Sequence, residues 1–404
     1  MRKLVLNVAA VAVVIAALAA YLAVTARHAP RAFKAPLSPA EAALLARVPA
    51  DAEAFAFIPG VARIERELLE NPVTRVPFEE WVAVNDIPRP WMLGDADAVT
   101  WRSGGTRGLA FRLDPVRRVL VRAWLLFTDT SVTAEGDLFL VNAPPSPGLT
   151  SEQIEQVVRL ASQLPAADAM VVQFAGSKGA FPPIGRPAVS SVSVTSAEIV
   201  IVSRAASESA SAHPPLEARL PRNALLSVAF AEPPRILRDV KRLVRSDIEA
   251  LMKGGGAIAL YDVDTGTLLP KPEAVISLPV RREQSAAAAD LVQLAHLVGE
   301  TRQTDTELLV SFDRKSLDRH AQDSFAPAAW PANRWVLRLD PARLVPILER
   351  LGDSAGLRLV APRLHRGARD LRSWIGYLKE AEAIEAASSS SGGSDELRVR
   401  ITSK

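Results

Sequence analysis

Asp262 and Asp264 stand two residues apart in Asp262-Val263-Asp264-Thr265-Gly266-Thr267-Leu268, the segment of this chain richest in chemical suggestion. Paired carboxylates can share a proton, ligate a cation, or set a nucleophile beside an acid. Three such signatures are nearly met. Asp264-Thr265-Gly266-Thr267 resembles one lobe of an aspartic protease, but no second Asp-Thr/Ser-Gly exists, so two chains would have to meet. The whole phrase resembles a phosphatase-type nucleophile loop with one extra residue between the second Asp and Gly-Thr. A calcium loop would need its Gly one place later and a Glu beyond it. Asp262 and Asp264 are the candidate catalytic pair of a hydrolase reading. The plainer reading is a strand, an Asp-Thr-Gly turn and a returning segment before Pro270.

Other chemistry is thinner. The five histidines (His28, His213, His296, His320, His365) are scattered, without the His-Glu-x-x-His spacing of a zinc helix. His296 falls in an apolar helical stretch, Ala286–Val298, and reads as a structural histidine. No Ser-x-x-Lys, Gly-x-Ser-x-Gly or phosphate-binding glycine loop occurs. Gly104-Gly105-Thr106 and Gly176-Ser177-Lys178-Gly179 are turn signals. The absence of cysteine removes disulfides, thiolate nucleophiles, Cys-ligated metals and lipobox acylation. No cofactor and no metal site is expected. Arg363, Arg366, Arg369 and Arg372, with Arg358 upstream, form the densest basic run. At helical spacing it would offer a surface to anionic headgroups or an acidic partner, with a solvated helix face as the competing reading.

Behind these residues stands a chain with real cores. Of its 404 residues 49% are hydrophobic and 23% charged, outside the range of disordered chains. A net charge of +3 is too small to steer so large a molecule toward nucleic acid, and no nucleic-acid module is visible.

Leu4 to Ala26 is a 23-residue run without charge, interrupted only by Asn7, Tyr21 and Thr25. At about 1.5 Å per residue it spans the roughly 30 Å hydrocarbon layer. Arg2 and Lys3 lead it, favouring a cytoplasmic head at 1–3 and a single-pass inner-membrane anchor at 4–26 with the body outside the cytoplasm. Arg27, Arg31 and Lys34 beyond it keep the inverted orientation open. A cleavable signal ending at Val24-Thr25-Ala26 also competes, although the apolar run exceeds the 7–15 residues usual for one.

The body repeats itself. Leu44-Leu45-Ala46-Arg47-Val48-Pro49-Ala50-Asp51-Ala52 aligns with Leu216-Glu217-Ala218-Arg219-Leu220-Pro221-Arg222-Asn223-Ala224, and each precedes a short apolar strand (Phe55–Ile58, Leu225–Phe230), then a helix (from Val61, from Pro233). Fainter copies occur at Leu164-Pro165-Ala166-Ala167-Asp168-Ala169 and at Trp330-Pro331-Ala332-Asn333. Arg112-Leu113-Asp114-Pro115 matches Arg338-Leu339-Asp340-Pro341 as a second phrase. Pro halts regular structure and Asp or Asn closes a turn, so the phrase is punctuation. A duplicated body is the economical explanation.

Ser38-Pro39-Ala40-Glu41 spells a capped helix start. Helices are expected over 115–127, with Val116, Val119, Leu120, Ala123, Trp124 and Phe127 on its inner face, and over 233–252. β-Branched segments at Val189–Val194, Glu198–Val202, Ala257–Tyr261, Ala274–Val280 and Glu307–Phe312 read as strands. The expectation is α+β: a transmembrane helix, then two duplicated mixed halves with largely antiparallel sheets. The divisions are a linker at 27–37, halves at 38–204 and 216–387, a linker at 205–215, a flexible Ser/Gly link at 388–394 and a terminal strand at 395–404.

An apolar N-terminal helix followed by Leu-Pro-Ala-Asp-like openings, strand and Pro-helix resembles a group of bacterial membrane-anchored envelope proteins defined by a domain of unknown function. That resemblance would cover most of residues 40–404 and implies only an extracytoplasmic body. The functional expectation is a non-enzymatic, membrane-tethered binding or assembly component, whose partners are the membrane through 4–26 and another envelope protein or lipid. The alternatives are an apolar-ligand or lipid carrier and the Asp262/Asp264 hydrolase.

Overall fold

A computed structural model describes residues 37–404 except 85–92, 95, 127–131, 143–146, 175–187, 208–214, 217, 232–254, 265–269, 281–287, 290–291, 294–298, 354–357, 359–374 and 392. The anchor at 4–26, the helix expected over 233–252, most of Ala286–Val298, and Arg363, Arg366, Arg369 and Arg372 lie outside the described residues. The chain is α+β, with eight helices among the described residues and only antiparallel strand pairing. It divides into two compact units, Met1–Ala206 and Ser207–Lys404.

Unit 1 begins with α1 (Pro39–Leu45), where Glu41 Oε2 accepts the Ser38 N–H at 2.8 Å and Ser38 Oγ accepts the Glu41 N–H at 3.2 Å. This reciprocal cap satisfies two otherwise orphaned donors. Then follow β1 (Ala54–Ile58), α2 (Val61–Glu70), α3 (Pro72–Val84), β2 (Ala98–Ser103), β3 (Thr106–Arg112), α4 (Pro115–Leu125), β4 (Val132–Glu135), β5 (Leu138–Val141), α5 (Ser151–Ala161), β6 (Ala169–Gln173), β7 (Ala188–Val194) and β8 (Glu198–Ala206). The strands lie in the order β4-β5-β3-β2-β1-β6-β7-β8. Leu44, Phe55, Phe57, Trp101, Met170 and Val172 fill the main core, beneath α1 and α5.

Unit 2 contains β9 (Arg219–Pro221), β10 (Leu226–Phe230), β11 (Gly256–Asp264), β12 (Lys271–Pro279), β13 (Glu300–Gln303), β14 (Glu307–Ser311), α6 (Arg314–Gln322), β15 (Phe325–Pro327), β16 (Trp335–Leu339), α7 (Pro341–Asp353), α8 (Ile375–Glu380), β17 (Ala381–Ser391) and β18 (Ser394–Ser403). Its main sheet runs β13-β14-β12-β11-β10-β16-β17-β18. Replacing each strand by its rank among the strands of its unit's main sheet, with β9 and β15 set aside, gives one order for both, 4-5-3-2-1-6-7-8. Each sheet combines two three-stranded meanders, whose first strands (β1 with β6, β10 with β16) pair with each other, and a hairpin (β4–β5, β13–β14) added to the first meander.

The four Pro phrases stand immediately before those four first strands. In unit 1 the opening phrase is held by residues 147–149: Ala50 N–H donates to Pro147 O at 2.8 Å and Leu149 N–H to Val48 O at 2.8 Å. Gly148 fits there because a β-carbon would stand 1.8 Å from the Ala46 carbonyl oxygen. In unit 2, β15 does the same to β9, with Pro221 opposite Phe325 and Leu220 opposite Ala326.

Three readings of the sequence need correction. The Arg-Leu-Asp-Pro phrases do not occupy equivalent places, since the first follows β3 and the second follows β16. Both instead do the local work of a cap: Asp114 accepts the N–H groups of Val116 and Arg117, and Asp340 accepts that of Arg343. Second, α4 buries a face turned by about a quarter of a revolution from the expected one, sharing only Leu120 and Trp124 with it. Arg117 and Val121 are its buried residues, with Trp124 and Leu125 packed partly inside, whereas Val116, Val119 and Ala123 are exposed. The helix is apolar on two sides, so periodicity alone chose wrongly. Third, Ser388–Ser391 belong to β17 rather than to a flexible link, and Ser388 and Ser390 are buried. A strand tolerates serine where backbone and hydroxyl groups find partners, and Asn333 supplies one. Ala205 and Ala206, assigned to the linker at 205–215, likewise extend β8.

Candidate functional site

Among the described residues of unit 2, a set of interacting polar and titratable side chains grows out of a β-bulge. Along β11 and β12, Leu260 faces Ala274 and Asp262 faces Glu273, which leaves Tyr261 as the extra residue. A bulge places two consecutive residues against one and releases a backbone carbonyl from the ladder. Here the Tyr261 carbonyl accepts from the Arg343 guanidinium of α7 at 2.5 Å, and the same guanidinium also donates to the Asn223 carbonyl.

The Tyr261 ring is fully enclosed, and its hydroxyl hydrogen-bonds His320 Nδ1 of α6 at 2.8 Å. Arg319 lies over the ring face at 5.1 Å, in cation–π geometry. The edge of Phe325 meets His320 with centroids 5.2 Å apart. Burial pushes the Tyr261 hydroxyl well above its ordinary value, and the Asp323 carboxylate adds to that rise. Burial also holds the His320 imidazole below its ordinary value, against the opposing pull of Glu307 and Asp323. Asp323 itself grips the Pro phrase, accepting from the Asn223 side-chain amide at 2.9 Å. His320 is only 7% exposed. The cluster locks α6 and α7 to the bulge, and its Tyr261–His320 pair is buried.

Asp262 and Asp264 follow Tyr261 on the same strand. Asp262 is half-buried opposite Glu273, and its Oδ1 accepts the Val263 N–H at 2.8 Å. Glu273 in turn binds Lys315 at 2.6 Å and Arg319 at 3.5 Å. Asp264, opposite Lys271 at the end of β11, is exposed. The two carboxylates therefore stand on a hairpin strand. No group of three or more His, Cys, Asp or Glu side chains able to hold a metal occurs among the described residues. Arg358, the only described member of the basic run, is exposed and helical.

Unit 1 has a buried polar cluster of its own. The Arg63 guanidinium of α2 closes on the Asp168 carboxylate, whose other oxygen accepts the Val194 N–H at 2.8 Å. Fully buried Asn71, at the end of α2, donates to the Thr195 carbonyl at 2.7 Å and accepts the Val73 N–H at 2.9 Å. Burial raises the Glu67 carboxyl in the same cluster, against the lowering effect of Arg63. Unit 1 also carries an open groove of about 710 Å³ between α1 and α5, lined among the described residues by apolar Leu37, Ala42, Ile154 and Val158 and by polar Ser151, Glu155, Arg159 and Ser162.

No protein-family model, curated protein or solved structure matches this chain. The likeness to envelope proteins therefore rests on the N-terminal run and the Pro phrases alone. Those phrases are legible as geometry. Asp168 and Asn333, each just before the first strand of a second meander, both reach the backbone of the next strand. Asn333 donates to the Ser390 carbonyl and accepts the Ser390 N–H, each at 2.8 Å. Tyr261, His320 and Arg343 were not singled out from sequence. A bulge leaves no local pattern, and His320 lies 59 residues from its partner.

Proposed function

We infer that this protein is a membrane-tethered, extracytoplasmic binding or assembly component, with a body made of two copies of one ancestral unit. The observation that carries the tether is the uncharged run Leu4–Ala26, long enough to cross a bilayer and led by Arg2 and Lys3. Among the described residues no helix is long and apolar enough to do so. The common strand order supports the duplication. Support for a non-catalytic role comes from how the polar side chains are used. Asp168, Asn223, Asp323 and Asn333 each hold a strand, a turn or a helix end, and the Tyr261–His320 pair is enclosed.

Protease added to spheroplasts tests the placement. The body is expected to be digested in intact spheroplasts, leaving a short membrane-bound fragment. A chain that survives until the cells are lysed overturns the reading. Crosslinking in intact membranes then identifies what the body holds. A second reading, an apolar-ligand or lipid carrier, is favoured by the groove between α1 and α5, whose volume suits a small apolar ligand. Copurification of a stoichiometric lipid that Ile154→Asp abolishes would support it.

A further inference from the structure

Helix α4 carries an apolar ridge on the side turned away from its own core. Val116 is 40% exposed and Val119 67%, and Leu126, at the C-cap, is 81% exposed. With Ala123 these positions follow at steps of three and four, so they share one face of the helix. The inward face is already filled by Arg117, Val121 and Trp124, and the ridge is thus surplus to packing of the unit. Exposed Arg122 lines one flank of the ridge, together with half-exposed Arg118 one turn earlier, whose Nε also donates to the Leu113 carbonyl at 3.1 Å, and no acidic residue occurs from Pro115 to Leu125. The acidic cap, Asp114, is engaged by Arg117 at 2.9 Å.

A ridge of aliphatic side chains edged by guanidinium groups has the chemistry of a helix lying in a lipid interface. Its apolar face enters the acyl boundary, and the cations meet anionic headgroups. A second protein of matching shape would need acidic groups set along one flank, whereas a bilayer offers both features without a shaped partner. The helix belongs to the unit that directly follows the proposed tether. The spacer 27–37 allows a reach of at most about 35–40 Å from the membrane.

We propose that α4 docks unit 1 onto an anionic bilayer surface, making a second, reversible membrane contact. This rests on the tether reading, and the test separates the two. The full chain contains no cysteine, so Ala123→Cys gives a unique site for an environment-sensitive fluorophore, with Asp305→Cys in the β13–β14 turn as a control. Each protein is reconstituted into vesicles of neutral phosphatidylcholine alone or mixed with anionic phosphatidylglycerol.

The expected result is a blue-shifted emission at 123, quenched by lipid-borne nitroxide, in anionic vesicles only. The label at 305 stays aqueous. Arg122→Gln is expected to lower the docked-to-free ratio about fivefold, following the surface attraction of one cation. Val119→Asp is expected to abolish the shift while leaving cooperative unfolding unchanged, because that side chain faces outward. Flotation of the chain with vesicles while the label at 123 stays aqueous overturns the docking and leaves the tether standing. A chain that fails to float overturns the tether. A shift of equal size in neutral vesicles that grows with protein density assigns the ridge to a second copy of the chain, and also overturns the proposal.

Discussion

Unit 1 and unit 2 fill one topological position with different chemistry. Just before the strand that starts the second meander, unit 1 has Asp168 and unit 2 has Asn333. Each ties the new strand to its neighbour, through the Val194 N–H in one case and through both backbone groups of Ser390 in the other. An amide satisfies a donor and an acceptor together without charge. A carboxylate only accepts, and when buried it needs a counter-ion, which α2 provides as Arg63. The same job therefore calls for one side chain in unit 2 and for two in unit 1, and it binds unit 1's sheet to a helix that the unit 2 latch does not need.

The sharpest way to break this comparison is Asp168→Ala. It takes the buried partner carboxylate from the partly buried Arg63 guanidinium and frees the Val194 N–H, with an expected loss of about 3–5 kcal/mol. Asn333→Ala removes two neutral hydrogen bonds and is expected to cost less, about 1–3 kcal/mol. Urea unfolding of both variants decides it, and equal losses would mean that the charge adds nothing. Asp168→Asn sharpens the point only when combined with Arg63→Met, which removes both charges and is expected to restore most of the loss.

The next effect lies in unit 2. Tyr261→Phe removes the hydroxyl from His320 and is expected to lower stability by about 1–3 kcal/mol. Because the folded imidazole titrates below its ordinary value, the unfolded chain takes up a proton first as the pH falls. The contribution of His320 is therefore complete above pH ~6.5. It declines from there down to the depressed folded value. Thermal unfolding followed from pH 7.5 to 5 should show this slope, and His320→Phe should flatten it; an unchanged slope would assign the titration elsewhere.

The smallest effect is expected at Asp264→Asn. An exposed carboxylate at a strand end contributes within about 0.5 kcal/mol. A large change in stability, or loss of any hydrolytic activity found in the purified chain, would return the Asp262/Asp264 pair to the centre of the argument.

Local chemistry made part of this fold readable. The Ser38 cap, the Asp-Pro helix starts and the four Pro phrases are short-range signals, and they fall where the elements begin. The face of α4 was not readable, because both of its sides are apolar and the buried residue that decides the matter is an arginine. Arg117 goes inside because Asp114 pairs with it and Gly94 leaves room, a β-carbon there standing 2.0 Å from the guanidinium carbon. The serines of β17 looked like a linker because their partner, Asn333, is 57 residues away. The Tyr261 cluster was hidden for the same reason. Long-range pairing, rather than propensity, settled each of these.

Each sheet has at one margin a strand of only four residues: β4, mostly exposed and carrying Glu135, and β13, half exposed and carrying Glu300 and Arg302. Brief, charged margins make poor templates for a neighbouring chain's backbone. Margins of this kind would discourage copies of the chain from zipping together through these strands into aggregates.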